Sequence, residues 1–162
     1  MPVRVLLVDD DPAFLEAMAD VLGDDPELVV LGTASTAREA LHLVAQIRPD
    51  VVVLDVRMAE GGPQLAMRLR EQAPWMRVLA MSAHDDEHTV VSMLAAGANG
   101  FVAKGALDED LALCVRRCAA GVFFVIAGCA DRVRARLAAT AAEHRVPTPH
   151  RRDPAARMPP MH

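Results

Sequence analysis

Three consecutive acids, Asp9, Asp10 and Asp11, follow the apolar run Val5–Val8, and a fourth, Asp55, follows Val51–Leu54. Ser82 closes the segment Val-Leu-Ala-Met, and Lys104 follows Gly-Phe-Val-Ala. If these segments are neighbouring strands, the carboxylates of Asp9, Asp10 and Asp55 converge at one edge. Clustered carboxylates repel and raise one another's pKa unless a divalent cation neutralises them. All-oxygen ligation with few protein ligands suits Mg2+, which keeps water and accepts a phosphoryl oxygen. A carboxylate beside such an ion is a nucleophile towards phosphorus. A hydroxyl and an ammonium facing it would hold the phosphoryl oxygens and offset their charge. Lys104 is the only lysine in the chain. Asp11 reads as a helix N-cap.

Elements that would bring these residues together are visible in the pattern. Strands are predicted at Val3–Val8, Leu28–Gly32, Val51–Leu54, Val78–Met81 and Gly100–Ala103. A first helix is expected after Asp11 and Pro12, burying Phe14, Met18, Val21 and Leu22. Thr36 and Glu39 have capping-box spacing ahead of Leu41 and Val44. Further helices are expected at Pro63–Gln72, Asp86–Ala96 and Leu107–Cys118, the last with a stripe of Leu107, Leu111, Cys114 and Cys118. Five such units in series imply an α/β fold with a parallel sheet covered on both faces. The four chemical features then fall at strand C-termini, where open α/β sheets bind ligands.

Composition narrows the function. The chain has 162 residues, 52% hydrophobic and 24% charged, which suits one globular domain with an appendage. Aromatics are only 3%, so Val, Leu, Ala and Met must build the core. The longest apolar run, Cys118–Ala130, is 13 residues with two glycines, too short to span a bilayer. The N-terminus lacks signal-peptide character, so a cytoplasmic protein without membrane attachment is expected. Residues 1–110 carry 8 basic and 19 acidic side chains, a net of −11, whereas 111–162 carry 9 and 3, a net of +6. The acidic body argues against a nucleic-acid surface there. Cys114, Cys118 and Cys129 lack the further ligands of a zinc site and read as buried thiols.

Leu-Leu-Val-Asp-Asp-Asp-Pro, Val-Val-Val-Leu-Asp55-Val-Arg-Met, Val-Leu-Ala-Met-Ser82-Ala-His and Ala-Gly-Ala-Asn-Gly-Phe101-Val-Ala-Lys104 resemble a response-regulator receiver domain of two-component signalling. The nearest resemblance is to receivers that precede a LuxR-type helix-turn-helix, over residues 2–120. The resemblance implies a flavodoxin-like, doubly wound five-stranded sheet of order 2-1-3-4-5. It implies that Asp55 is the phosphoacceptor. Asp10, Asp55 and the Arg57 backbone carbonyl would bind Mg2+ directly, with Asp9 nearby through water. Ser82 and Lys104 would contact the phosphoryl group, and Phe101 would swing inward when Ser82 moves; a core aromatic is the plainer role for Phe101. Arg57 and His84 match positions that tune phosphoryl hydrolysis. Ala59 stands where such receivers usually have proline, and the loop Glu60-Gly61-Gly62-Pro63 is about one residue short, predicting a more flexible loop beside Asp55.

Beyond Ala119 the pattern changes. A helix is expected at 130–144, packing through Val133, Leu137 and Ala141, within a linker region 121–145. Residues 146–162 hold five prolines and three arginines and read as a disordered tail. Pro147-Thr148-Pro149 faintly resembles the start of a LuxR-type DNA-binding domain, but too few residues follow for a recognition helix. The expectation is a stand-alone, non-enzymatic receiver, phosphorylated by a sensor histidine kinase and signalling through helix 4, strand 5 and helix 5. That face is also where a homodimer is expected. No sequence-specific nucleic-acid binding is expected. The rival is a DNA-binding transcriptional regulator, or a truncated remnant of one, acting through its basic C-terminal segment with Arg132, Arg134 and Arg136; strongly salt-dependent DNA binding would favour it. A phosphatase on the same fold would want a general acid two residues after Asp55, where Arg57 stands. A flavin site would want a Gly/Ser/Thr-rich loop after the first strand, which is lacking.

Overall fold

The computed structural model describes residues 1–84, 86–106 and 110–143. Alternating strands and helices run β1 (Val3–Val8), α1 (Pro12–Gly23), β2 (Leu28–Ala34), α2 (Ala37–Ile47), β3 (Val51–Asp55), α3 (Gly62–Gln72), β4 (Arg77–Ser82), α4 (Glu87–Ala95) and β5 (Gly100–Ala103). A 3-10 turn at Lys104–Ala106 leads to α5 (Leu111–Ala119), β6 (Phe124–Ile126) and α6 (Ala130–Glu143). The sheet is parallel throughout, in the order β2-β1-β3-β4-β5-β6.

Because both faces are covered, successive strand residues enter two different cores. Leu6, Val8, Val52, Leu54, Val78, Ala80 and Phe101 pack with α2, α3, α4 and α6. Val5, Leu7, Val51, Val53, Leu79, Met81 and Val102 pack with α1 and α5. This is the period-two alternation of a doubly covered sheet, and it explains why the strands read as unbroken apolar runs.

Four sequence expectations change. A sixth strand joins the edge of the five expected, with Gly100 opposite Phe124 and Phe101 opposite Val125. It was hidden inside the long apolar run, where Gly121, at φ 83°, ends α5 and turns the chain. Gly100 eases the pairing, since a Cβ there would stand 3.2 Å from both Leu79 Cδ1 and Phe124 Cζ and press on those side chains. In α1 the buried stripe is Leu15, Met18 and Leu22, and Val21 is exposed. Helix α5 begins at Leu111, where Asp110, in extended backbone, is the N-cap and its carboxylate accepts from the Ala112 amide. Leu107 lies outside the described residues, as does the tail 146–162. In α6, Val133 is buried and Leu137 packs against the same core, but Ala141 is exposed because the helix runs past that core.

Cys114, Cys118 and Cys129 are buried and form no disulfide. Burial pushes the Cys118 thiol up to about 12, against an opposing pull from the Arg77 guanidinium. Among the described residues, no helix is long and apolar enough to cross a membrane.

Candidate metal and phosphoryl site

The register of the sheet sets the site. Val8 is level with Leu54, Asp55 with Met81, and Ser82 with Ala103, so four strands end along one line. Asp9, Asp55, Ser82 and Lys104 stand at those ends. Asp9 is buried and its amide donates to the Ala34 carbonyl at 3.1 Å, which ties it to the end of β2. Asp10 is exposed beside it. The next residue, Asp11, is the N-cap of α1, and its Oδ1 accepts from the Ala13 and Phe14 amides at 3.0 and 3.3 Å. Its own amide donates to Asp9 Oδ1 at 2.9 Å. The acid run therefore divides its labour: Asp11 starts the helix, which aims Asp9 at the site.

One carboxylate oxygen from each of Asp9, Asp10 and Asp55 lies within 4.8 Å of the others. Two ligands on opposite sides of a Mg2+ ion stand about 4.2 Å apart, so small side-chain adjustments would let one ion bridge the cluster. Hard oxygen donors fit that ion. Lys104 Nζ lies 2.9 Å from Asp9 Oδ2 and 3.6 Å from Asp55 Oδ1. Burial pushes the Asp55 carboxyl above its ordinary value of 3.8, and the neighbouring Asp9 charge adds to the rise. Lys104 and the Arg57 amide, the latter 3.4 Å from Asp55 Oδ1, oppose it. A site with this balance gains from an added cation.

The loop after β3 is tight. The Gly61 amide donates to the Met58 carbonyl at 2.9 Å, Glu60 has φ 57° and Gly62 φ 67°. The turn thus uses left-handed backbone at two positions.

Ser82 is fully buried, and its hydroxyl accepts from the His84 amide at 3.1 Å. His84 itself is exposed and lines a cleft of about 470 Å³ with Asp86, Cys129 and Arg132. Phe101 is fully buried among Val90 and Met93 of α4, so it belongs to the core beneath the site and not to the carboxylate cluster. The Arg57 guanidinium lies 3.9 Å from Asp86, the N-cap of α4. Hydrogen bonds from Thr89 hold the Asp86 carboxyl below its usual range.

Two neighbours of the site escape a reading of the sequence. The Lys104 ammonium sits 4.1 Å from the centroid of the Phe14 ring, a residue whose helical spacing signals only a core face. Asp86 carries an N-cap signal and nothing that marks it as the partner of Arg57.

The response regulator receiver domain family matches residues 5–116. Over 120 residues the chain is 38% identical to the DNA-binding transcriptional activator DevR/DosR of Mycobacterium tuberculosis, covering 74% of this chain and 55% of that protein. It is 31% identical over 121 residues to the nitrate/nitrite response regulator protein NarL of Escherichia coli, covering 74% and 56%. The chain thus spans about half the length of these curated relatives. The signal receiver domain of NarL from Mycobacterium tuberculosis superposes with a TM-score of 0.70 at 36% identity, covering 74% of this chain and 98% of that one. A LuxR-family two-component response regulator from Aurantimonas sp. SI85-9A1 shares the fold, with a TM-score of 0.75 at 24% identity over 88% and 99% of the two chains. With its doubly wound sheet and its acidic cluster at the strand ends, the chain belongs to the response-regulator receiver family.

Proposed function

We propose that this chain accepts a phosphoryl group on Asp55 from a sensor histidine kinase and passes the signal on by protein contacts. The observation that carries the reading is the convergence of Asp9, Asp10 and Asp55 on one point with the Lys104 ammonium beside them. An Asp55 oxygen attacks phosphorus, the P–N bond to the kinase histidine breaks, and the imidazole leaves with that electron pair.

Receiver domains bind Mg2+ at an acidic pocket, and the donor set here fits it. When bound, the ion supplies charge neutralisation for the carboxylates and the phosphoryl oxygens. Asp10, Asp55 and the Arg57 carbonyl are assigned as direct ligands, and Asp9 as a ligand through water. In support, both Asp9 oxygens already accept hydrogen bonds, from the Asp11 amide and from Lys104. Lys104 and the Ser82 hydroxyl are assigned to the phosphoryl oxygens. Ser82 would donate its hydroxyl proton to a phosphoryl oxygen while still accepting from the His84 amide, drawing the end of β4 inward above Phe101.

The receiver unit is assigned to residues 2–120, with 121–145 as a linker region whose strand β6 completes the sheet. Helix α4, strand β5 and helix α5 are assigned as the contact face, for a partner or a second copy. Strand β6 occupies the edge of β5 and α6 packs on α4, so part of this face is covered within the chain and a partner would meet β6 and α6 there. No sequence-specific DNA recognition is assigned to α6. Its exposed Arg134 and Arg136 could reach phosphate, but such contacts carry no sequence information.

Incubation with acetyl phosphate and Mg2+, read by intact mass, tests the reading. One phosphoryl group should add to the wild type and none to Asp55→Asn. Equal labelling of the two, or labelling undiminished by a chelator, would overturn it.

A further inference from the structure

We infer that Phe14 is a positioning residue for Lys104, holding its ammonium at Asp55 through the face of the aromatic ring; this rests on the phosphoacceptor reading above. Lys104 Nζ meets three groups: Asp9 Oδ2 at 2.9 Å, Asp55 Oδ1 at 3.6 Å and the Phe14 ring centroid at 4.1 Å. The lysine side chain is only 19% exposed, so the ring acts on a cation that has shed much of its water.

The third group matters because of what the lysine has to do. Its nearer partner is Asp9, yet its proposed work is on the phosphoryl oxygens at Asp55, so it must partly leave Asp9 as the group arrives. A third carboxylate in place of Phe14 would hold the ammonium by charge and resist that transfer. An aromatic face attracts the cation through its quadrupole and leaves the N–H donors free for oxygen acceptors. The ring is fixed by the same cap that aims Asp9. Phe14's amide donates to Asp11 Oδ1, and Asp11's amide donates to Asp9 Oδ1. One turn of backbone therefore sets both the anion and the aromatic face that share Lys104.

A packing role alone would be kept by leucine. Phe14 is partly buried against the core formed by Leu15, Met18 and Leu111, and Phe14→Leu preserves apolar contact there while removing the π face. Phe14→Trp and Phe14→Tyr keep the face. The first readout needs no phosphorylation. Lysine labelled with carbon-13 at Cε gives one resonance in this chain, because Lys104 is its only lysine. Ring current should shift the attached protons upfield in the wild type and in Phe14→Trp, and the shift should vanish in Phe14→Leu.

The second readout is the rate of Asp55 phosphorylation by acetyl phosphate with Mg2+, in which an Asp55 oxygen bonds to phosphorus and acetate leaves with the electron pair. Phe14→Leu should slow it by about 3- to 30-fold, and the tryptophan and tyrosine variants should stay near wild type. In a Lys104→Met background, Phe14→Leu should add nothing. An unshifted lysine resonance in the wild type, a wild-type rate in Phe14→Leu, or the same loss in the Lys104→Met background would overturn the assignment. If the wild type takes up no phosphoryl group, the phosphoacceptor reading falls and this proposal falls with it. A wild-type rate in Phe14→Leu removes the proposal alone.

Discussion

Lys104 and Asp9, 95 residues apart in the chain, form a 2.9 Å ion pair in which the carboxylate is almost wholly buried. Asp9 stands at the end of β1 and Lys104 at the end of β5, two strands separated by β3 and β4. The lysine therefore reaches back across the ends of β4 and β3 to β1. In doing so it passes Asp55, and the site's charge balance depends on it.

Lys104→Met should therefore be costly before any phosphorylation is measured. It leaves Asp9 buried beside Asp55 and Asp10 without its cation, a loss of about 1–3 kcal/mol at neutral pH. The double variant Asp9→Asn with Lys104→Met should recover most of that. Urea denaturation at pH 7 checks both. A double variant no more stable than Lys104→Met would show that the buried charge is not the cause.

Asp55→Asn should stabilise the protein at neutral pH in the absence of divalent cations. The Asp55 carboxyl is raised above 3.8 by burial and by Asp9, so ionising it opposes folding. Its contribution is fully favourable below pH 3.8 and is lost as pH rises through the folded-state value. Thermal unfolding should show Asp55→Asn higher in Tm by about 2–5 °C at pH 7, and the gap should close as the pH falls towards 3.8. Added Mg2+ should raise the wild-type Tm and narrow the gap from the other side. A gap that persists at low pH would contradict the electrostatic cause.

Arg57→Asn should shorten the life of the acyl phosphate. Arg57 is held at both ends, its amide on Asp55 and its guanidinium 3.9 Å from Asp86. That arrangement places a bulky side chain between Asp55 and the start of α4, where it would shield a phosphoryl group on Asp55 from water. Loss of labelled phosphate after removal of the donor should be slow in the wild type and several-fold faster in the variant. An unchanged rate would rule out shielding by Arg57.

Gly61→Ala should disturb the loop that carries Arg57. A Cβ at Gly61 would stand 2.8 Å from the Met58 carbonyl oxygen, a backbone atom that cannot rotate away. Titration calorimetry should show Mg2+ affinity weakened on the order of tenfold. Unchanged affinity would mean that the loop is not a part of the metal site.

Much of this architecture is legible in the order of residues. Each strand of the central sheet is a short apolar run, the caps of α1, α2, α4 and α5 are an acid or threonine at a defined offset, and both are local signals that survive without tertiary context. Asp9, Asp55, Ser82 and Lys104 could be placed at one edge because a parallel sheet sends all its strand ends the same way. Other features depend on contacts between distant segments. Strand β6 exists because Phe124–Ile126 finds a free edge on β5, and no periodicity within three residues reports that. Val21 and Leu15 are both apolar, and only the packing of α1 on the sheet decides that Leu15 is the buried one. The contacts of Phe14 with Lys104 and of Arg57 with Asp86 join residues far apart in the chain, where each type alone has a blander use. Local pattern specifies which element a residue enters; side-chain partnership across elements is set by how those elements pack.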